Sequence, residues 1–206
     1  MESQAIFQDN SIATVGSHLD PFELNDLSLR NKRKELCLEK LLELLGSSCS
    51  YEDFTKELLV LFHESLPCEA SSFLERDEAQ GCFIFRVVSN PSAEQLLETV
   101  VPEGQGIVGF VAQEKMPLVL SEVDESPLHL EQFQDMVKFK AKSLIGIPLT
   151  IDGRVCGVVE LINRVQAERF STDDLEFAMW LAQRVGIIWK ARLWWEQTCP
   201  IESRRG

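Results

Sequence analysis

The sequence predicts an α+β fold built on a largely antiparallel sheet, with long helices at both ends of the chain. Apolar residues recur at helical spacing before residue 66 and after residue 171, and between these limits they alternate with a period of two. Hairpin turn signals stand at both ends of the alternating region, and helices that precede and follow a run of hairpins belong to the α+β class.

Residues 1–22 are polar, carry Gly16 and Pro21 and show no period, so they read as a flexible arm. A helix is expected over 23–46, with Leu24, Leu27, Leu38, Leu41 and Leu45 on one stripe. Asn31 and Lys34 interrupt that stripe where a heptad would place apolar residues, and the seam suits contact with a second copy of the chain. Gly46 ends this helix, and residues 51–65 form the next, with Phe54, Leu58, Leu61 and Phe62 inward.

CEASSFLERD and CFIFRVVS read as a hairpin around residues 78–81, and LLETVVP as a third strand. GQGIVGFVAQEK is expected to be a short helix, MPLVLSE a short strand and LEQFQDMV another short helix. KSLIGIPLTIDGRVCGVVELIN supplies two strands around Asp152-Gly153, a strong hairpin signal. The last helix spans about 172–197, with Phe177, Trp180, Leu181, Ile188, Ala191 and Trp195 on its apolar side. Residues 47–198 then form one domain with its closing helix, and 199–206 a tail.

Composition removes several function classes. The chain has 20 basic and 33 acidic residues, a net charge of -13, and no basic stripe interleaved with aromatics. Nucleic-acid binding and attachment to an anionic membrane are therefore not expected. No signal peptide and no apolar run of spanning length occurs, so a cytoplasmic location is expected. The six cysteines form no CxxC pair and have no histidine at ligand spacing, which speaks against a zinc site or a disulfide framework.

Gly104, Gly106 and Gly109 fit GxGxxG after a strand and at a helix start. A dinucleotide fold would need a repeating βαβ pattern, and hairpins dominate here instead. Two readings remain. Either the helix-start amides near Ile107 and Val108 form an anion site, or the glycines only turn the chain into the helix.

The run VPEGQGIVGFVAQEKMPLVLSEVDESP, then SLIGIPLTIDGRVCGVVELINR, then FSTDD and a long helix, resembles a GAF domain over about residues 50–195. Gly106, Gly109, Pro117, Pro127, Pro148, Gly153, Gly157 and Glu160 carry the likeness. Asn163, Arg164, Phe170 and Asp174 match the signature of GAF domains in cyclic-nucleotide phosphodiesterases and cyclases, although Leu175 stands where the longer signature is acidic. The resemblance implies a six-stranded antiparallel sheet with helices on both faces and a roofed pocket.

By the same resemblance, the ligand phosphate would meet the amides of Ile107 and Val108. The base would be held near Ser72, Gln134 or Asp135, Val137, Ala141 and Glu160. Val137 and Ala141 stand where binders carry hydroxyls and offer no side-chain hydrogen bond. A cyclic nucleotide is therefore expected to bind weakly unless other residues compensate.

Other chemistry known in the family finds little support. A free methionine sulfoxide reductase needs clustered pocket cysteines, and only Cys82 and Cys156 fall on expected strands that could face a cavity. His129 falls in the pocket roof, and a lone histidine does not make a haem site. No catalytic triad, carboxylate pair or phosphoryl-transfer motif occurs, so no enzyme and no cofactor are expected.

Two functions compete. One is a ligand sensor that orders its roof around residues 130–137 and signals through a helical homodimer to a separate protein partner, since the sequence shows no output segment. The other is a ligand-free dimerisation or adaptor module, suggested by the leucine seam and by Trp180, Trp189, Trp194 and Trp195. In NRVQAERFSTDD, Ser171 or Thr172 is the expected N-cap, Phe170 a staple, and Arg164 a latch to Asp174. That motif is expected to frame the pocket rather than touch a ligand.

Overall fold

A computed structural model describes residues 21–128, 136 and 139–198. Helix α1 (Pro21–Gly46) leads through α2 (Tyr51–Ser65) into strands β1 (Cys68–Asp77) and β2 (Cys82–Val88). A 3-10 turn (Pro91–Leu96) precedes β3 (Val100–Pro102), then come α3 (Gly106–Glu114) and β4 (Leu118–Leu120). Strands β5 (Leu144–Ile151) and β6 (Arg154–Arg164) precede the closing helix α4 (Thr172–Thr198). The expected arm, the tail and most of the roof helix, with His129, Gln134, Asp135 and Val137, lie outside the described residues.

The six strands form one antiparallel sheet in the order β3-β2-β1-β6-β5-β4. The two longest strands, β1 and β6, pair at its centre. The edge strands have three residues each, too short to template pairing with another chain. Because β3 and β4 occupy opposite edges, α3 must cross one face to join them. No parallel βαβ unit exists among the described strands, which removes the dinucleotide reading of the glycines.

Local chemistry explains the element ends. Ser50 is extended at φ -64° and its hydroxyl accepts the Asp53 amide at 3.1 Å, capping α2. Asp152 and Gly153 both have positive φ, 51° and 75°, as the two-residue turn between right-twisted strands requires.

The alternation of β1 and β6 sorts side chains onto two faces. One face holds Phe73, Val159 and Leu161 in a cluster with Phe54, Phe62, Leu181 and Trp189. Helices α2 and α4 cover it, and α1 packs outside them through Cys37 and Leu41. On the other face Leu74, Phe85, Leu144 and Val158 cluster with Ile107, Val108 and Val111 of α3. Each such buried side chain contributes about 1.5–3 kcal/mol. Helix α4 approaches β5 so closely that a Cβ at Gly186 would lie 2.3 Å from the Thr150 carbonyl oxygen.

Two expectations need correction. The third strand begins at Val100 rather than Leu96, because Leu97 and Thr99 bond back to Glu94 and Leu96 as turns and Glu98 takes a φ of 62°. On α1, Leu41 is buried in the chain's own core, and Leu27, Leu38 and Leu45 are exposed on the single chain. Trp189, assigned by sequence to surplus surface, is 1% exposed, whereas Trp195, expected to face inward, is 46% exposed.

A β-bulge shapes the far side of the sheet. Phe73 pairs with Val87 and Leu74 with Phe85, so Arg86 is the extra residue. Its guanidinium donates to Glu75 at 3.0 Å and to Glu98 at 2.8 Å.

Candidate functional site

A cavity of about 120 Å³ opens between the sheet and the elements on the α3 side. Its floor comes from Ser72 on β1, Leu144 on β5, and Glu160 with Ile162 on β6. One wall is the 3-10 turn with Ala93 and Leu96, and another is the start of α3 at Gly106, Ile107 and Val108. Val123, Leu128, Phe139 and Ala141 complete it, so the lining is mostly apolar.

The start of α3 is shaped by its glycines. Gly104 and Gly106 hold φ of 79° and 65°, values that favour glycine, and turn the chain into the helix. A Cβ at Gly109 would lie 2.5 Å from the Gly104 carbonyl carbon. All three glycines therefore have a backbone reason to be there. Gln105 gives the helix no side-chain cap, and the first turn is closed by the Gly109 amide on the Gln105 carbonyl at 2.9 Å. The preceding amides, those of Gly106, Ile107 and Val108, have no intrahelical partner, which leaves a partial positive charge at the cavity wall.

The polar feature of the floor is a carboxyl. Glu160 is 8% exposed, and the Ser72 hydroxyl donates to its Oε2 at 3.0 Å. The two residues are directly opposed in the central strand pair. Burial pushes the Glu160 carboxyl up to about 7, against the smaller opposing effect of the Ser72 hydrogen bond. Near neutral pH it therefore exchanges between a proton donor and an acceptor-only anion. No lysine or arginine among the described residues lines the cavity.

The structure thus brings Ser72, Ile107, Val108, Ala141 and Glu160 around one space. Ala141 is buried there and offers only a methyl group. Sequence reasoning missed the contribution of Asn90, Ala93 and Leu96, since the 3-10 turn that presents them has no periodic signal. Cys82 is buried on β2 and Cys156 joins the opposite, helix-covered face. No cysteine of the described residues lines the cavity.

The Asn163 motif lies beside the cavity as a fastener. Asn163 stands at a φ of 58°, and its Oδ1 accepts the amides of Lys142 and Ser143 at 2.7 and 3.2 Å. Its Nδ2 donates to Glu69 at 2.7 Å and to the Lys140 carbonyl at 2.9 Å, joining β6 to the start of β5 and to β1. Arg164 donates to both Asp174 oxygens, at 3.2 and 3.3 Å, and to the Pro67 carbonyl at 2.9 Å. Ser171 is the N-cap of α4: its hydroxyl accepts the Asp174 amide at 3.1 Å, and Asp174 accepts the Ser171 amide at 3.0 Å. Burial would raise the Asp174 carboxyl, yet the Ser171 amide and the Arg164 guanidinium together hold it below the usual aspartate value.

Comparison with known proteins bears on the family and the fold. A family model described as the GAF domain matches residues 50–189. The cone cGMP-specific 3',5'-cyclic phosphodiesterase subunit alpha' of Mus musculus is 34% identical over 80 residues, 38% of this chain and 9% of that protein. The dual 3',5'-cyclic-AMP and -GMP phosphodiesterase 11A of Takifugu rubripes is 29% identical over the same length and the same shares. The chain thus covers about a tenth of these relatives.

Among solved structures, a GAF domain of a phosphoenolpyruvate-protein phosphotransferase from Coxiella burnetii superposes with a TM-score of 0.67 at 19% identity, covering 80% of this chain and 96% of that one. A free methionine-R-sulfoxide reductase from Neisseria meningitidis gives 0.65 at 18% identity, covering 80% and 92%. At these identities the likeness concerns the fold alone.

Proposed function

The chain belongs to the GAF domain family, and from that premise we propose that it is a regulatory sensor whose cavity takes a small anionic ligand of the cyclic-nucleotide type. The observation that carries this reading is a cavity with opposed polarity. Uncapped amides of Gly106, Ile107 and Val108 offer donors to a phosphate at one wall, and Ser72 with Glu160 offers hydrogen bonds to a heterocycle on the floor. Similarity to two cyclic-nucleotide phosphodiesterases supports the same ligand class. We read the module as non-catalytic, because burial pushes the Cys68 thiol up to about 11 and raises that of Cys156, and neither lines the cavity.

Occupancy would be read through the helices by a separate partner. Helices α1 and α4 run parallel, since Arg30 pairs with Asp173 near their starts while Arg192 donates to the Ser47 carbonyl near their ends. Lys34 lies over Trp180 at 5.4 Å. That contact sets the stripe of Leu38, Leu42 and Leu45 beside the heptad-spaced Ile187 and Trp194, all exposed. A homodimer through this face would bury it. A dimerisation or adaptor module with no ligand is the second reading, and this apolar face is what favours it.

Thermal denaturation with cGMP, cAMP and cyclic dinucleotides tests the sensor. A native-state ligand at a hundred times its Kd adds about 3 kcal/mol of stability. A rise in Tm with a cyclic nucleotide, reduced in Glu160→Gln, is expected. No rise with any of them would abandon the sensor for the adaptor. Light scattering tests the dimer, and a monomer at micromolar concentration would refute it.

A further inference from the structure

The fold assembles a cationic groove that the linear sequence does not show. Arg30, Arg33 and Lys34 of α1, Arg164 at the end of β6 and Arg169 of the β6–α4 connection line one depression, with Phe177 and Trp180 of α4 in its wall. The Arg33 guanidinium lies 3.6 Å from the Phe177 ring centroid, and Arg184 lies 4.5 Å from that of Trp180. Cations and rings are interleaved here, although they come from separate segments of the chain.

The charges in the groove are unequally matched. Asp173 holds Arg30 at 2.5 Å, and Asp174 holds Arg164. Arg33 donates to the Ser65 carbonyl and to no carboxylate. Among the described residues Lys34 and Arg169 make no ion pair, and Arg33 shares the field of Asp174 with Arg164, so the cations of the groove outnumber its acids and Glu176 is the acid left to Lys34 and Arg169. A local positive surplus therefore sits on a chain whose net charge is -13. Ions of opposite sign are drawn to such a patch, and a ring presented among cations gives an apolar side chain a place to rest.

We propose that this groove docks an acidic segment of a partner protein, with carboxylates on Lys34, Arg169 and Arg33 and an apolar side chain against Trp180. A nucleic acid fits less well. A polyanion long enough to run beyond the groove would be repelled by a chain whose net charge is -13. The groove lies toward the starts of α1 and α4, one turn before the Leu38, Leu42 and Leu45 stripe, and shares no lining residue with the cavity. The inference thus stands apart from the cyclic-nucleotide reading.

Fluorescence anisotropy of the full chain with a labelled peptide of repeating Glu-Leu pairs tests it. A Lys-Leu counterpart and single-stranded oligothymidylate serve as comparisons. The acidic peptide should bind in a manner that weakens with salt, and the basic one should not. Lys34→Glu with Arg169→Glu should weaken binding about tenfold or more, since each surface pair contributes up to about 1 kcal/mol. Arg169→Glu alone alters an exposed loop residue without a carboxylate partner, and covers the case in which the double variant disturbs α1. Arg154→Glu, on the remote hairpin, and Glu160→Gln should both leave peptide binding unchanged. No binding of the acidic peptide, binding by Arg169→Glu and by the double variant as tight as the parent's, or tighter binding of oligothymidylate would each overturn the proposal.

Discussion

Ser72 and Glu160 face each other across the central strand pair, hydroxyl to carboxyl at 3.0 Å, in a site where burial holds the carboxyl near neutrality. This pair makes the stability of the fold depend on pH. Below about 4.5 the carboxyl is protonated in both folded and unfolded chains. Between there and about 7 the folded state keeps a proton that the unfolded state releases, so stability falls as pH rises. The full difference is on the order of 3 kcal/mol. Denaturant titrations from acid to mildly alkaline pH should show this decline in the parent, and Glu160→Gln should flatten it and be the more stable protein at pH 8. Parallel pH profiles for the two would refute a raised Glu160.

Asp174 predicts the opposite slope. Its carboxyl is held low by the Ser171 amide and Arg164, against burial, so its contribution is present above the ordinary aspartate range and is lost as pH falls through it. Asp174→Ala removes the reciprocal cap of α4 and leaves the Arg164 guanidinium short of its partner. A cap is worth about 1 kcal/mol, and an abandoned buried group about 1–3 kcal/mol. A fall in Tm of about 5–10 °C follows from their sum, measurable by calorimetry. Cyclic-nucleotide selectivity should change little, because Asp174 does not line the cavity. An unchanged Tm with lost binding would reverse the assignment.

These two pairs also mark what was legible in the sequence and what was not. The capping of α4 by Ser171 and the Arg164 tie to Asp174 are local, ten residues apart or fewer, and residue type with spacing announces them. The Asp152-Gly153 hairpin was legible for the same reason. Glu160 and Ser72 are 88 residues apart, and they meet only through strand register, so a family likeness rather than any local pattern pointed to them. The 3-10 turn, the Arg86 bulge and the cationic groove left no signal at all. A turn without period, one extra residue in a strand and cations on three segments acquire meaning only after the chain is folded. Trp189 was misplaced because a helix packed on two sides carries apolar residues nearly all round, and periodicity then cannot say which face is inward.

Gly186 sets the distance between α4 and the sheet. A Cβ there would approach the Thr150 carbonyl oxygen to 2.3 Å, a backbone atom that cannot swing aside. Gly186→Ala would ordinarily favour a helix by about 1 kcal/mol. Here the clash should dominate, because overpacking costs typically 1–3 kcal/mol and the helix is pinned on both sides of the contact by Leu181, Val185 and Trp189. The expected result is a net loss in Tm of several degrees, with unchanged far-ultraviolet circular dichroism. A gain in stability would mean that α4 can lift off β5 without cost.

Tyr51 joins the core of α4 to the bulge in β2. Its hydroxyl accepts the Trp189 indole N–H at 3.1 Å and donates to Glu75 Oε1 at 2.5 Å, while Glu75 Oε2 accepts Arg86. Tyr51→Phe keeps the ring and removes the hydroxyl, so a buried indole N–H loses its acceptor and a half-buried carboxylate loses a donor. Each orphaned group costs about 1–3 kcal/mol, and a destabilisation of about 2–3 kcal/mol is expected from urea denaturation. Because Trp189 is the largest fully buried side chain, the change should also appear in its own environment. The indole N–H resonance of Trp189, assigned by Trp189→Phe, should shift in Tyr51→Phe and again in Arg86→Ala, which reaches it only through Glu75. If Arg86→Ala leaves that resonance in place, the bulge and α4 are not connected through this chain of hydrogen bonds.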